Sequence, residues 1–465
     1  MTTFMHHRHQ SSAPSNPRRS GSATIVVLWS IAIASIIVAA TQLVTWRTAT
    51  LGYTSLGRVQ ARWAARAGIE RIIATLAYNT ENADPEDPMA LFRDLEYDWA
   101  GSLETGGWDV RHVEEGLELK GPLDLHSRLN INLANKIQLL ELGDMSIDTA
   151  DAILDWRDED DEVQGIGAER DFYEGRDLGY FPRNGNFKSI AELELVAGAW
   201  PEFVRGEDWN LNDRLDSNED DGDLAAPDDD LDGELDPGWA GYLTARSVDA
   251  PTGLSGLPRI DLRNTSPDEL TEVLGVDAAQ AEALIQYSSD ENSSLGALLV
   301  VELGELIGAE STSNSRSTGR SRGRASANSD TPAVEPLSED QLRRVFAECT
   351  LTDYSGPVQP PGRVNLNTAG PEVLRIIFEG DPGVADSILA LRQSRAEGIT
   401  SIVDLLEVRR IQPETLSGLS ALLDVTGWTF SITSRGTSEN GQEVEIHAVV
   451  DRSSLPVRIL EYRED

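Results

Sequence analysis

Apolar residues follow three rhythms along this chain. From Ala23 to Val44 they run almost unbroken, and no charged residue falls between Arg19 and Arg47. About 20 apolar residues cross a bilayer core of roughly 30 Å as a helix. The run is longer than the apolar part of an ordinary signal peptide. A helical rhythm then continues through Leu56, Val59, Trp63 and Ala67, and through Ile69, Ile72, Ile73 and Leu76. No proline interrupts it between Pro17 and Pro85. The pattern predicts one helix over 22–79, membrane-spanning over 23–44. A period of two marks Trp108–Val113, Leu117–Lys120, Thr429–Ser434, Glu443–Val450 and Val457–Tyr462 as strands. Asn440-Gly441 is a hairpin turn signal. Regions 80–128 and 426–465 therefore read as β-sheet.

Between those regions the helical rhythm returns in repeated form. Asn130/Asn132, Asp261/Asn264 and Asn365/Asn367 each open a helix-turn-helix stretch. Ser266, Pro267 and Glu269 form a capping box with proline at the first helical position. Ser189/Glu192 and Ser401/Asp404 repeat as a further capped helix. The repeat predicts helix-hairpin-helix, or SAM-like, units over about 129–206, 258–308 and 362–425. Glu310–Asp330 is rich in Ser and Arg and nearly free of apolar residues, which predicts a disordered linker over 309–336.

Charge sharpens the picture. The net charge is −40, although Arg8, Arg18 and Arg19 precede the apolar run without an acid. By the positive-inside rule, residues 1–20 stay cytoplasmic and the chain beyond about Trp46 lies outside. So acidic a surface repels phosphate backbones and attracts cations, so no nucleic-acid partner is expected. Residues 207–236 hold fourteen carboxylates and one arginine within the acidic loop 207–240. There Asp228, Asp230, Asp232, Glu234 and Asp236 follow the opening of a calcium loop: Gly233 stands at the sixth position and Leu235 at the eighth. Trp239 occupies the twelfth, where such a loop has its bidentate glutamate. Asp158, Asp160 and Asp161 form a second calcium candidate. The six histidines form no cluster, Cys349 is the single cysteine, and no phosphate loop or nucleophile elbow occurs. Nothing in the chain points to an enzyme.

The basic leader ending at Gly21, followed at once by Ser22 and the apolar helix, resembles a type IV prepilin. In that family a membrane peptidase cuts after this glycine and methylates the new amino terminus. The family's glutamate at the fifth mature position is Val26 here. The K-type minor pseudopilins of type II secretion lack that glutamate, and their start resembles Val27-Leu28-Trp29. Ala64–Glu70 is similar to their helix end. An unpaired carboxylate is costly in lipid, so its absence suits a subunit with none above it.

This resemblance covers most of 22–465. It implies an α+β fold, in which the transmembrane helix packs on a pilin-like antiparallel sheet and 129–425 is a large all-α insertion. It also implies calcium in the helical domain, and an inner-membrane, single-pass protein with its bulk in the periplasm. The implied partners are the I- and J-type minor pseudopilins, the major pseudopilin and prepilin peptidase. The implied role is to cap the pseudopilus tip and help initiate its assembly for protein export.

A second resemblance competes. Membrane-anchored DNA receptors of the ComEA type also join a membrane helix to helix-hairpin-helix repeats, and their opening is similar to Val364–Thr368. DNA-binding hairpins set glycine amides against phosphate. Here Gly383 is followed by Val384, Ala385 and Asp386, and the other hairpins carry Asp144, Asp148 and Asp277. These carboxylates have the wrong charge for that role.

Overall fold

The structure is a computed structural model. It describes residues 21–222, 224, 226, 227, 229–313, 334–356 and 358–464, without the side chains of 21, 22 and 309–313. The leader, Asp228 and the linker residues 314–333 lie outside these.

A single helix, α1, spans Gly21–Glu81. Through Val59 it belongs to one compact unit, and Gln60–Asp465 form a second. In the first unit its side chains are exposed through Tyr53, and its most apolar window has a mean hydropathy of 2.5. Hydroxyls there turn back onto their own helix: Ser30 donates to the Val26 carbonyl at 2.8 Å and Thr45 to that of Thr41 at 2.8 Å. Lipid offers no other partner, so this local bonding suits an apolar solvent.

In the second unit the same helix lies on an antiparallel sheet. The strands run in the order Ala100–Leu103, Gly106–Glu114, Thr429–Ser438, Glu443–Asp451, Arg458–Glu464. Leu117–Lys120 pairs with the second of these, and Leu123–Asp124 with the third. Ala64, Ala65, Ile69, Ile72 and Leu76 meet Trp108, Val110, Phe430, Ile432, Ile446 and Ala448 in one core. Small residues set the close approach. A Cβ on Gly436 would run into the backbone of Ala61 and Ala65. Leu56, Val59 and Trp63 of α1 are exposed. The fold is thus α+β, with the strands of the sheet drawn from either side of the helical middle.

The opposite face of this sheet is polar and is covered by the acidic stretch. Val113 donates its amide to the Asp213 carbonyl at 2.6 Å. Thr433 donates to the Asn212 carbonyl at 3.1 Å, and Arg214 donates to Asp109 at 3.3 Å. Arg128 pairs with Asp213 at 2.5 Å.

Three helical repeats fill the middle of the chain, and each closes with a short parallel ladder. Leu129–Asn130 pairs with Leu243–Thr244, Ile260–Asp261 with Cys349–Thr350, and Val364–Asn365 with Leu423–Asp424. The repeat's asparagines act as brackets. Asn132 exchanges two hydrogen bonds with the Phe187 backbone, and Asn367 exchanges two with that of Ile399. Arginines at matching helix ends reach back to matching carbonyls. Arg157 donates to those of Ile131 and Ala134, and Arg392 to those of Leu366 and Ala369. In the second repeat Ser288 stands there and donates to the Leu262 carbonyl at 2.7 Å. The packing is unequal. The first and third repeats share one core, whereas the second encloses its own, running from Ile260 to Cys349.

Candidate metal centre

Ser146 caps helix Ile147–Arg157 by accepting from the Thr149 amide. Its last two turns carry Asp151 and Asp155 inward, and Asp158 is its C-cap. The chain then loops out and returns at Glu169, the N-cap of helix Arg170–Gly175. Asp155 is 0% exposed and Glu169 2%. One oxygen from each of Asp155, Asp158 and Glu169 lies within 4.8 Å of the others.

The loop between them requires its glycines. Gly165 has φ +58°. A Cβ there would collide with the Asp151 carboxylate, and one on Gly167 with that of Asp155. Around these glycines the loop donates backbone amides, Gln164 to Asp155 at 3.0 Å and Ile166 to Asp151 at 3.2 Å, and the Gln164 side-chain amide donates to Asp158 Oδ2 at 2.6 Å. Lys136 pairs with Asp151 at 2.5 Å and neutralises that neighbour.

Four oxygens are left over. Asp155 Oδ2, Asp158 Oδ1 and both Glu169 carboxylate oxygens are buried without a hydrogen-bond partner. Burial raises all three acids. Burial pushes Glu169 up to about 7, and the charges of Asp155, Asp158 and Asp161 add to the effect. Buried carboxylates that face one another without donors are unfavourable unless protonated or bridged by a cation. An all-oxygen set of this kind fits a hard divalent ion such as calcium. Asp155, Asp158 and Glu169 would hold it.

The residues singled out from sequence fall differently. Asp158 joins the cluster. Asp160 and Asp161 are exposed; Asn184 donates to the Asp160 carbonyl at 2.8 Å and the Asp161 carboxylate at 3.2 Å. Asp155 and Glu169 were not singled out. Their signal is the helical spacing of Asp151, Asp155 and Asp158 followed by Gly165, Gly167 and Glu169.

In the acidic loop, Asp228 lies outside the described residues, and Asp230, Asp232, Glu234 and Asp236 are exposed. Asp230 and Asp232 accept the amides of Asp232 and Glu234, at 3.2 and 2.8 Å. Leu235 is buried, and Gly233 has φ +80°. Deeper in the stretch, Asp208 accepts the Asn212 and Asp213 amides, and Glu219 those of Trp209 and Asp216. Burial, then the charge of Asp213, pushes Asp208 up to about 7.

The other reactive side chains serve the scaffold. His112 pairs with the Gly121 carbonyl, His126 with that of Arg363, and His447 with Ser431. Cys349 is buried, which pushes its thiol up to about 12. Ala23, Val27, Leu28, Trp29 and Val44 all sit on the exposed part of α1, which begins at Gly21 and Ser22.

Residues 127–206 match the family model of the type II secretion system (T2SS), protein K. Over this stretch the chain is similar to the type II secretion system protein K family. The matched stretch contains the first helical repeat up to Gly206 and the whole Asp155–Asp158–Glu169 cluster. Among solved structures, a chain of the GspK-GspI-GspJ complex from the enterotoxigenic Escherichia coli type 2 secretion system is similar. It is 13% identical with a TM-score of 0.40, over 90% of this chain and 99% of that one. No curated protein sequence matches the chain.

Proposed function

We propose that the chain is a minor pseudopilin of the type II secretion system, with the K-type role of capping the pseudopilus tip and helping to start its assembly. The protein K match over 127–206 carries this reading. The apolar helix α1 supports it, since it is long enough to anchor the chain in the inner membrane by a single pass. In this reading prepilin peptidase cuts between Gly21 and Ser22, and the exposed stripe of Leu56, Val59 and Trp63 packs against helices of I- and J-type partners. The helical repeats sit above that bundle, where their bulk leaves no room for another subunit. Calcium at Asp155, Asp158 and Glu169 fixes the fold of the first repeat. No step calls for catalysis by this chain.

Processing is the decisive test. Mass spectrometry of protein from cells with active prepilin peptidase should find a mature chain starting at methylated Ser22. An intact Met1 terminus in such cells would sink the reading.

A further inference from the structure

We propose that an acidic cleft in the second compact unit receives the Arg316–Arg324 stretch of the same chain. The cleft, of about 1610 Å³, lies between the 84–93 segment, the second repeat and the 396–400 turn. Its floor is apolar, with Leu257, Pro258 and Val273. Its walls carry Asp84, Glu86, Glu269, Asp340, Glu348 and Glu397 against Arg93, Arg343 and Arg344.

Two of those cations are already committed. Arg93 pairs with Asp87 at 2.5 Å, and Arg343 pairs with Glu339 and Asp404. The carboxylates of Glu86, Asp340 and Glu397 have no hydrogen-bond or ion-pair partner among the described residues. The cleft therefore presents net negative charge above an apolar floor.

The proposed occupant is complementary and tethered beside it. Arg316, Arg320, Arg322 and Arg324 occur with no acid between Asn314 and Ser329. The chain enters this stretch from helix Leu303–Ser313 and re-emerges at Val334. Gln280 holds the Glu335 and Pro336 carbonyls, both at 3.2 Å. Helix Glu339–Glu348 follows at once and supplies the wall that bears Asp340. Nine residues lie between Arg324 and Val334, ten Cα steps with a reach of up to roughly 36 Å. Tethering makes the encounter intramolecular, so several weak ion pairs suffice where a free peptide would dissociate.

Trypsin reads the occupancy directly, because it cuts after those arginines. The intact chain in detergent is compared with the E86Q/D340N/E397Q variant, whose melting temperature serves as the folding control. At low salt, cuts after residues 316–324 should form about fivefold more slowly in the parent chain. The difference should vanish in 1 M salt, where screening acts within about 3 Å. Equal cleavage rates at low salt overturn the proposal. Protection that strengthens with protein concentration also overturns it, since the occupant would then be another copy.

Discussion

Glu169 poses the sharpest single-residue question in the molecule, because neither of its oxygens has a donor although the side chain is almost fully buried. Without a cation it destabilises the ionised cluster, and its pKa, raised first by burial and then by the charges of Asp155, Asp158 and Asp161, expresses that cost. With a cation it becomes a ligand. The substitution Glu169→Gln should therefore act in opposite directions in the two states. In chelator, the variant should melt above the parent, because one like charge is gone. In calcium, it should lose the parent's gain. Saturation to about 100-fold over the dissociation constant adds about 2.7 kcal/mol, a rise on the order of 5 °C. Calorimetry with and without calcium checks both halves, and a parent chain indifferent to calcium would remove the site. The sequence announced acids near Asp158 but not which of them converge. A helix carries Asp155 inward, while the loop turns Asp160 and Asp161 out to solvent.

Among the elements, helix Pro371–Ile377 shows how the sheet and the helical repeats are joined. Its N-cap is Gly370, which has no side chain to offer the first amides. Glu115, at the turn of the 106–120 hairpin, supplies the missing acceptor and takes the amides of Glu372 at 3.0 Å and Val373 at 3.4 Å. It caps a helix more than 250 residues away. Glu115→Ala should cost about 1 kcal/mol, the usual value of an N-cap. Glu115→Gln, which keeps an acceptor oxygen, should cost less. Urea unfolding of the two variants checks the order, and equal losses would mean that the contact is packing and not capping. Local patterns gave the elements themselves. Period-two runs gave the long strands, and capping signals gave the α-helix at Ser266 and the 3-10 turn at Ser401, whereas Ser189 precedes a matching 3-10 turn without capping it. The strands at Ala100–Leu103 and Leu123–Asp124 were not legible, being short and defined by their neighbours. Nor was the tertiary cap, because a glutamate after a strand looks like any turn residue. The acidic stretch read as a cation-binding loop centred on Asp228–Asp236, yet Asp208, Asn212 and Glu219, ahead of that motif, are buried. Backbone amides hold Asp208 and Glu219, and Asn212 also donates to Asp216 and Glu445, partners that no local pattern reveals.

At the scale of the whole second unit, the three repeats meet at one buried charge network. Arg363, just before the third repeat, pairs with Asp249 at 3.1 Å and with Asp424 at 2.6 Å. Arg259, just before the second repeat, also reaches Asp424 at 3.1 Å, and Tyr354, just after it, donates to Asp249 at 2.7 Å. Burial acts to raise Asp249, but the facing Arg363 and Arg259 outweigh it and hold the carboxyl below its usual range. A lowered folded-state pKa adds stability that is present above the unfolded value, near 3.9, and is lost as pH falls toward the folded one. Acid should thus loosen this junction. Removing one partner does so at neutral pH: Arg363→Met leaves Asp249 and Asp424 undercompensated, and a broken buried pair costs about 3–5 kcal/mol. The loss should not spread evenly. The second repeat has its own core and so can remain folded after separating, whereas the first and third share theirs. Hydrogen exchange should then quicken along the ladders that flank the junction, while helix Ala278–Ser288 keeps its protection. If that helix exchanged as fast as the ladders, the second repeat would depend on the junction for its fold, and its separate core would not be a separate unit of stability.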